Sequence, residues 1–161
     1  MATDDLYILS TFNITESVKP NDIPKNKLDL DKLLLFKIKN KLGNKCIHSG
    51  YIDKDSIQIL ERSIGNVNSG HFNGEIYYNI KLQIKLCSPS VGQVINCRVI
   101  GKNQAGIFCV APPLQIMLSP ENHDDTSRFD TIVKNDNIEI KIVGYKILLN
   151  HDHIKVLGQL V

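Results

Sequence analysis

Between residues 76 and 86 the chain alternates strictly. Tyr78, Ile80, Leu82, Ile84 and Leu86 share one side, and Asn79, Lys81, Gln83 and Lys85 share the other. A period of two describes a strand with one buried and one wet face, and it cannot lay an apolar stripe along a helix. The same alternation returns after Pro89, which ends a ladder because it has no N–H to donate. Ile95, Cys97 and Val99 alternate with Asn96 and Arg98; Ile138, Ile140 and Ile142 alternate with Glu139 and Lys141. Five strands are expected here, at about 92–101, 105–111, 114–118, 137–148 and 153–160. A long polar connection, 119–136, separates the third from the fourth and has room for a short helix. Five short strands with one longer interruption at that point follow the plan of an OB barrel.

The upstream half is less regular. Residues 6–14 are rich in β-branched and aromatic types and predict a strand. Residues 19–27, with Pro20 and Pro24, predict a loop. A helix is expected over 29–42. Asp29 and Asp31 open it, where the macrodipole favours carboxylates; Lys37, Lys39 and Lys41 close it, where cations are favoured. Leu34, Leu35, Ile38 and Leu42 give it an apolar stripe, and Gly43 a stop. From Cys46 the period is two again, with short strands at 50–53 and 56–61 and a loop over 65–74 that is dense in glycine and asparagine. The expected fold is therefore α+β: a small antiparallel sheet carrying one helix over residues 1–88, then a five-stranded OB-type barrel over 89–161.

At 161 residues, 42% of them hydrophobic and 22% charged, the chain suits one ordinary folded domain or two small ones. Its longest aliphatic-aromatic run, Leu33 to Phe36, is far too short to span a bilayer, so no membrane partner is expected. The start, Met1-Ala2-Thr3-Asp4-Asp5, is acidic where a signal peptide is basic, which predicts a protein kept inside a cell. Cys46, Cys87, Cys97 and Cys109 include no C-x-x-C pair, and three of the four sit in apolar strand-like runs. Buried thiols are favoured over a zinc site. No P-loop and no nucleophile elbow occurs. No catalytic residue, metal or cofactor is expected.

Charge limits the partners further. Residues 91–161 carry seven basic side chains (Arg98, Lys102, Arg128, Lys134, Lys141, Lys146, Lys155) and seven acidic ones (Glu121, Asp124, Asp125, Asp130, Asp136, Glu139, Asp152). A neutral barrel binds RNA weakly, locally, or with help from a partner, because phosphate binding calls for a basic excess.

Four segments of the second half resemble OB domains of the ribosomal-protein-S-one type. They are Gly92-Gln93-Val94-Ile95, Ala105-Gly106-Ile107-Phe108, Leu114 to Ser119, and Asp136-Asn137-Ile138-Glu139-Ile140, with Asn135-Asp136 standing where that family has Gly-Asp. Upstream, Gly43-Asn44-Lys45-Cys46, Gly50-Tyr51-Ile52, the Gly65–Gly74 loop and Pro89-x-x-Gly92 are similar to the stalk subunit seven family of multisubunit DNA-directed RNA polymerases. The forms of Ile64 to Gly74 and of Gly144 to Asn150 look like the homologues carried by nucleocytoplasmic large DNA viruses. The resemblance covers about residues 28–161. The sequence departs from the family pattern at Tyr145-Lys146-Ile147 and at Met117.

This resemblance implies a non-catalytic stalk subunit of a viral polymerase, with the polymerase core, a smaller stalk subunit and nascent RNA as partners. It implies work in the host cytoplasm or the virion. Alternatives are a free-standing RNA-binding OB module and a purely structural assembly subunit. Phe108 faces away from Ile107 and Cys109, free either to stack on a base or to pack against a neighbouring domain. Arg98 and Lys102, on the adjacent strand, and His123, in the long connection, join it as RNA-contact candidates. The resemblance makes the 65–74 loop, with Gly65, Asn66, Asn68, Gly70 and His71, the candidate contact with the polymerase core. His151-Asp152-His153 reads as a hairpin tip in preference to a metal site.

Overall fold

The computed structural model describes residues 6–70, 72–124 and 127–161; His71 and the acidic Met1–Asp5 start lie outside them. The protein is α+β, and its chain divides into two compact units. One takes in the stretch up to Ile8, Lys45–Tyr51 and Leu86–Val161; the other takes in Leu9–Asn44 and Ile52–Lys85.

The first unit is built around a closed barrel. Its strands are β7 (Val94–Asn103), β8 (Gly106–Ala111), β9 (Leu114–Leu118), β10 (Asn137–Lys146) and β11 (Ile154–Leu160). They close in the order β10-β11-β9-β8-β7. Every pairing is antiparallel except β9 with β11. All five expected strands are present, and a short helix, α2 (Ser127–Thr131), lies in the long connection before β10. Alternation places Ile95, Cys97, Val99, Ile107, Cys109, Leu114, Ile116, Leu118, Ile140, Ile142, Ile154 and Val156 inside. Gly106 is required at the head of β8: its φ is +142°, and a Cβ there would collide with the Leu118 carbonyl. Earlier segments join this unit through main-chain bonds. The Cys46 amide donates to the His151 carbonyl at 2.7 Å, the Asn150 amide to the Cys46 carbonyl at 2.9 Å, and the Ser88 amide to the Leu6 carbonyl at 3.0 Å.

The thiols are buried, as the apolar runs predicted, and all four cysteines are free. Burial pushes the Cys87 thiol up to about 12. A hydrogen bond with Cys109, then burial, pushes the Cys97 thiol up as well.

The sheet has β1 (Tyr7–Val18), β6 (Ile76–Cys87), β3 (Gly50–Ile52) and β2 (Lys45–Ile47) in that order, with β4 (Gln58–Arg62) and β5 (Asn66–Val67) also pairing with β6. On β6, Tyr78, Ile80, Leu82, Ile84 and Leu86 are buried, in the alternation read from sequence.

Helix α1 spans Lys27–Leu42. It starts two residues earlier than the carboxylates suggested, because Asn26 is the N-cap and accepts from the Leu28 amide at 3.2 Å. Its buried residues are Leu30, Leu34 and Ile38, while Leu35 and Leu42 are only half-buried. The core stripe is thus rotated from the one expected. Three side chains fix that rotation. Asp31 accepts from Arg62 at 2.6 Å, Lys37 donates to the Ser17 carbonyl at 2.8 Å, and Lys41 pairs with Glu16 at 3.3 Å.

Candidate nucleic-acid interface

The barrel's outer wall follows from alternation and register. If Ile107, Cys109 and Ala111 point inward on β8, then Phe108 and Val110 point outward; both are half-buried. On β9 the outward residues are Gln115 and Met117. Register sets Phe108 opposite Met117 and Val110 opposite Gln115. Across the parallel seam, Leu157 stands beside Met117 and Lys155 beside Gln115.

Two rows result, running around the barrel. One is Gly101, Phe108, Met117, Leu157 and Gly144, an apolar row ending in glycine on both sides. The other is Arg98, Val110, Gln115, Lys155 and Lys146, with a cation at each end and a third within it. Tyr145 follows a register shift between Ile142 and Gly144 and is 44% exposed. Phe108, Gln115, Met117, Tyr145, Lys146, Lys155 and Leu157 line a groove of about 450 Å³, with Ile116 and Val156 at its floor.

Aromatic and thioether surface beside a line of cations suits a single-stranded nucleic acid: bases stack on the first, and phosphates meet the second. The three cations of the row are long side chains on a barrel that is neutral overall. They supply local charge rather than a large basic field.

The four RNA-contact candidates do not share this surface. Phe108 lines the groove and Arg98 begins the basic row. Lys102 donates to the Phe129 carbonyl and lies 3.6 Å from the Asp130 carboxylate, so it is engaged in holding α2. His123 is held at both nitrogens: Nδ1 lies 2.8 Å from the Ser119 carbonyl, and the Leu160 amide donates to Nε2 at 2.8 Å. Nε2 must then accept, which leaves the proton on Nδ1 to donate to Ser119. The ring also meets Phe129 edge-on at 4.6 Å between centroids. His123 therefore ties the long connection to β11. Tyr145, Lys146, Lys155 and Leu157 line the groove with Phe108 but are not among the candidates read from sequence. The alternation of Lys155 with Ile154 and Val156 carried the signal for two of them; the shift in β10 hid Tyr145.

In the other unit, the 65–74 segment is shorter as a loop than the sequence suggested. Asn66 and Val67 pair with Tyr77 and Ile76 as β5. A Cβ at Gly65 would collide with Ile76, so glycine lets β5 approach β6. Asn68 Oδ1 accepts from the Gly70 amide at 2.9 Å, an Asx turn. Asn66, Asn68 and Gly70 are exposed, and so are Ile64 (82%), Val67 and Phe72 (102%).

His151, Asp152 and His153 lie in the β10–β11 turn, where Asn150 has φ +64°. His153 Nδ1 is 2.6 Å from Asp152, and that hydrogen bond holds the Asp152 carboxyl below its usual range. No group of three or more His, Cys, Asp or Glu side chains is placed to hold a metal among the described residues. No helix among them is long and apolar enough to cross a membrane.

No family model matches the chain. It is similar to a protein of Acanthamoeba polyphaga mimivirus that is provisionally named a DNA-directed RNA polymerase subunit. The two are 24% identical over 174 residues of alignment, which takes in 100% of this chain and 85% of that protein.

Proposed function

We propose that this chain is a non-catalytic subunit of a viral DNA-directed RNA polymerase, of the stalk type, working in the host cytoplasm or the virion. The observation that carries the reading is the extent of the similarity to the mimivirus protein. It runs through the whole chain, sheet-bearing half and barrel alike. A barrel alone serves many nucleic-acid proteins, and similarity confined to it would favour a free-standing module.

In this reading the exposed tip around Ile64, Val67 and Phe72 docks on the polymerase core, and a smaller subunit completes the stalk. The groove beside Phe108 and Tyr145 receives nascent RNA, with Arg98, Lys155 and Lys146 along its phosphate path. Lys102 and His123 keep the barrel's long connection in place and meet RNA only indirectly. The barrel's neutrality fits such a role. RNA delivered by the enzyme is already at high local concentration, so weak contacts suffice.

The test is native affinity purification of the tagged chain from infected cells, followed by mass spectrometry. The two large polymerase subunits are expected in the eluate; their absence, with the chain folded and recovered, removes the proposal.

A further inference from the structure

Four glycines lie in the strands of the barrel, and the fold accounts for two of them. Gly106 has its φ of +142°, and a Cβ at Gly158 would press on Leu118, Ile140 and Ile116 inside the barrel. Gly101 on β7 and Gly144 on β10 have no such reason. Neither has a positive φ. Both are half-buried, yet a Cβ built on either meets nothing within 4 Å. Gly101 stands opposite Phe108 and Gly144 opposite Leu157, so a side chain at either would lie on the outer wall. Each glycine follows a bulge whose extra residue is aliphatic and exposed, Ile100 (45%) and Val143 (40%). A bulge built on glycine uses a left-handed φ, which these two lack. Glycine inside a strand weakens it, and where the chain supplies no close neighbour it marks close approach by a ligand.

The two positions close the apolar row at its ends, with Phe108, Met117 and Leu157 between them. The neighbouring row brings Arg98, Lys155 and Lys146, none of which is in an ion pair among the described residues. A flat ring lying on bare backbone, with its phosphate in reach of an unengaged cation, describes an unpaired nucleotide. A protein side chain could use the clearance but has no need of cations along the whole row. We propose that Gly101 and Gly144 are seats for the outermost bases of a bound single strand of RNA. The bases lie on the main chain at the seats and stack on Phe108 and Met117 between them. Four strand spacings of about 4.8 Å make the row about 19 Å long. That length suits about four nucleotides, the short end of what one such barrel takes. This placement rests on the reading of the groove as the RNA site. It adds the two ends of the bound segment and the requirement that its bases be unstacked from a duplex.

The test is fluorescence anisotropy of a short labelled single-stranded RNA with the full chain, alongside Tm. Gly101→Val and Gly144→Val are each expected to lower affinity about tenfold at low salt, the equivalent of one stacked base. Gly101→Ala and Gly144→Ala, which add a single methyl, are expected to lower it less. Tm is expected to be unchanged or raised, since glycine is the weaker strand former. The slope of log affinity against log salt is expected to stay at the wild-type value, because base contacts and not phosphate contacts are lost. Should valine lower Tm, the alanine pair alone decides. A lowered Tm in the alanine variants would mean that the bulges require glycine, and would overturn the seats. Full affinity in the glycine variants while Phe108→Ala weakens binding would also overturn them and leave the groove standing. Loss of the large polymerase subunits from native purifications of the glycine variants, with RNA affinity kept, would assign the clearance to a protein partner instead. If wild type binds no RNA, the RNA reading of the groove falls and the seats with it.

Discussion

The barrel and α1 handle apolar residues in opposite ways. In the barrel one aliphatic face of every strand goes inside; of the outward residues, Phe108, Met117, Tyr145 and Leu157 share a groove, while Val94, Ile100 and Val143 are exposed elsewhere. In α1 apolar residues lie on more than one face, and only three of them are buried. The barrel is closed, so its strands leave no free edge and its interior absorbs one face of every strand. A helix on a sheet can fully bury only one stripe, so Leu35 and Leu42 are half-buried beside it and Leu28 and Phe36 stay exposed. Charge divides the same way, with a neutral barrel and a basic helix.

The sharpest way to break this contrast is at the closure of the barrel. Gly106→Val adds a side chain where the Leu118 carbonyl already sits, in a backbone conformation that valine avoids. It is expected to cost more than about 4 kcal/mol, the range of severe core lesions. Leu114→Ala, on the parallel seam and fully buried, is expected to cost about 2–5 kcal/mol. Urea titration followed by circular dichroism measures both; a loss under 1 kcal/mol in each would mean that the barrel is not the stable centre described.

Phe108→Ala and Tyr145→Ala test the outer wall. Each is expected to lower affinity for a short single-stranded RNA at low salt by about 1–3 kcal/mol, read by fluorescence anisotropy, because each removes one stacking surface. Lys102→Ala is expected to change that affinity little and to loosen α2 instead. His123→Ala separates structure from binding in the same manner. It leaves the Leu160 amide without its acceptor and is expected to cost about 1–2 kcal/mol of stability. Its effect on RNA should follow that loss and nothing more. At the tip, Phe72→Ser is expected to alter stability by no more than about 0.5 kcal/mol while reducing recovery of the large polymerase subunits.

A smaller effect comes from the buried thiols. The Cys87 thiol is held at about 12, above its ordinary 9.0. Above pH 9 the unfolded chain releases this proton while the folded chain keeps it, so the folded state binds more protons and loses stability as pH rises. Wild type should therefore lose more stability than Cys87→Ala between pH 9 and 12, measured as the difference in Tm shift.

Alternation carried most of the barrel. One buried face per strand leaves a period of two, which is why Ile95, Cys97 and Val99, or Ile138 to Ile142, gave their strands, and why Phe108 was expected to face outward. The rest depended on partners distant in sequence. Nothing near His123 reveals that the Leu160 amide donates to it, and nothing near Lys102 reveals the Phe129 carbonyl. Tyr145 follows a register shift, which breaks the alternation that would have placed it. In α1 the apolar residues support two stripes, and the choice was made by Asp31, Lys37 and Lys41 finding Arg62, Ser17 and Glu16. Sequence period alone could not select between them.

Division of labour between the barrel wall and the rest of the chain is tested most directly by where nascent RNA touches it. Complexes purified through the tagged chain would be stalled on a template with 4-thiouridine in the transcript, irradiated and digested. Crosslinked peptides from this chain are predicted to fall in β8, β9 and the Gly144–Leu157 stretch, and to be reduced by Phe108→Ala. Crosslinks confined to α1 or the 65–74 loop, or absent while the large subunits are recovered, would contradict it.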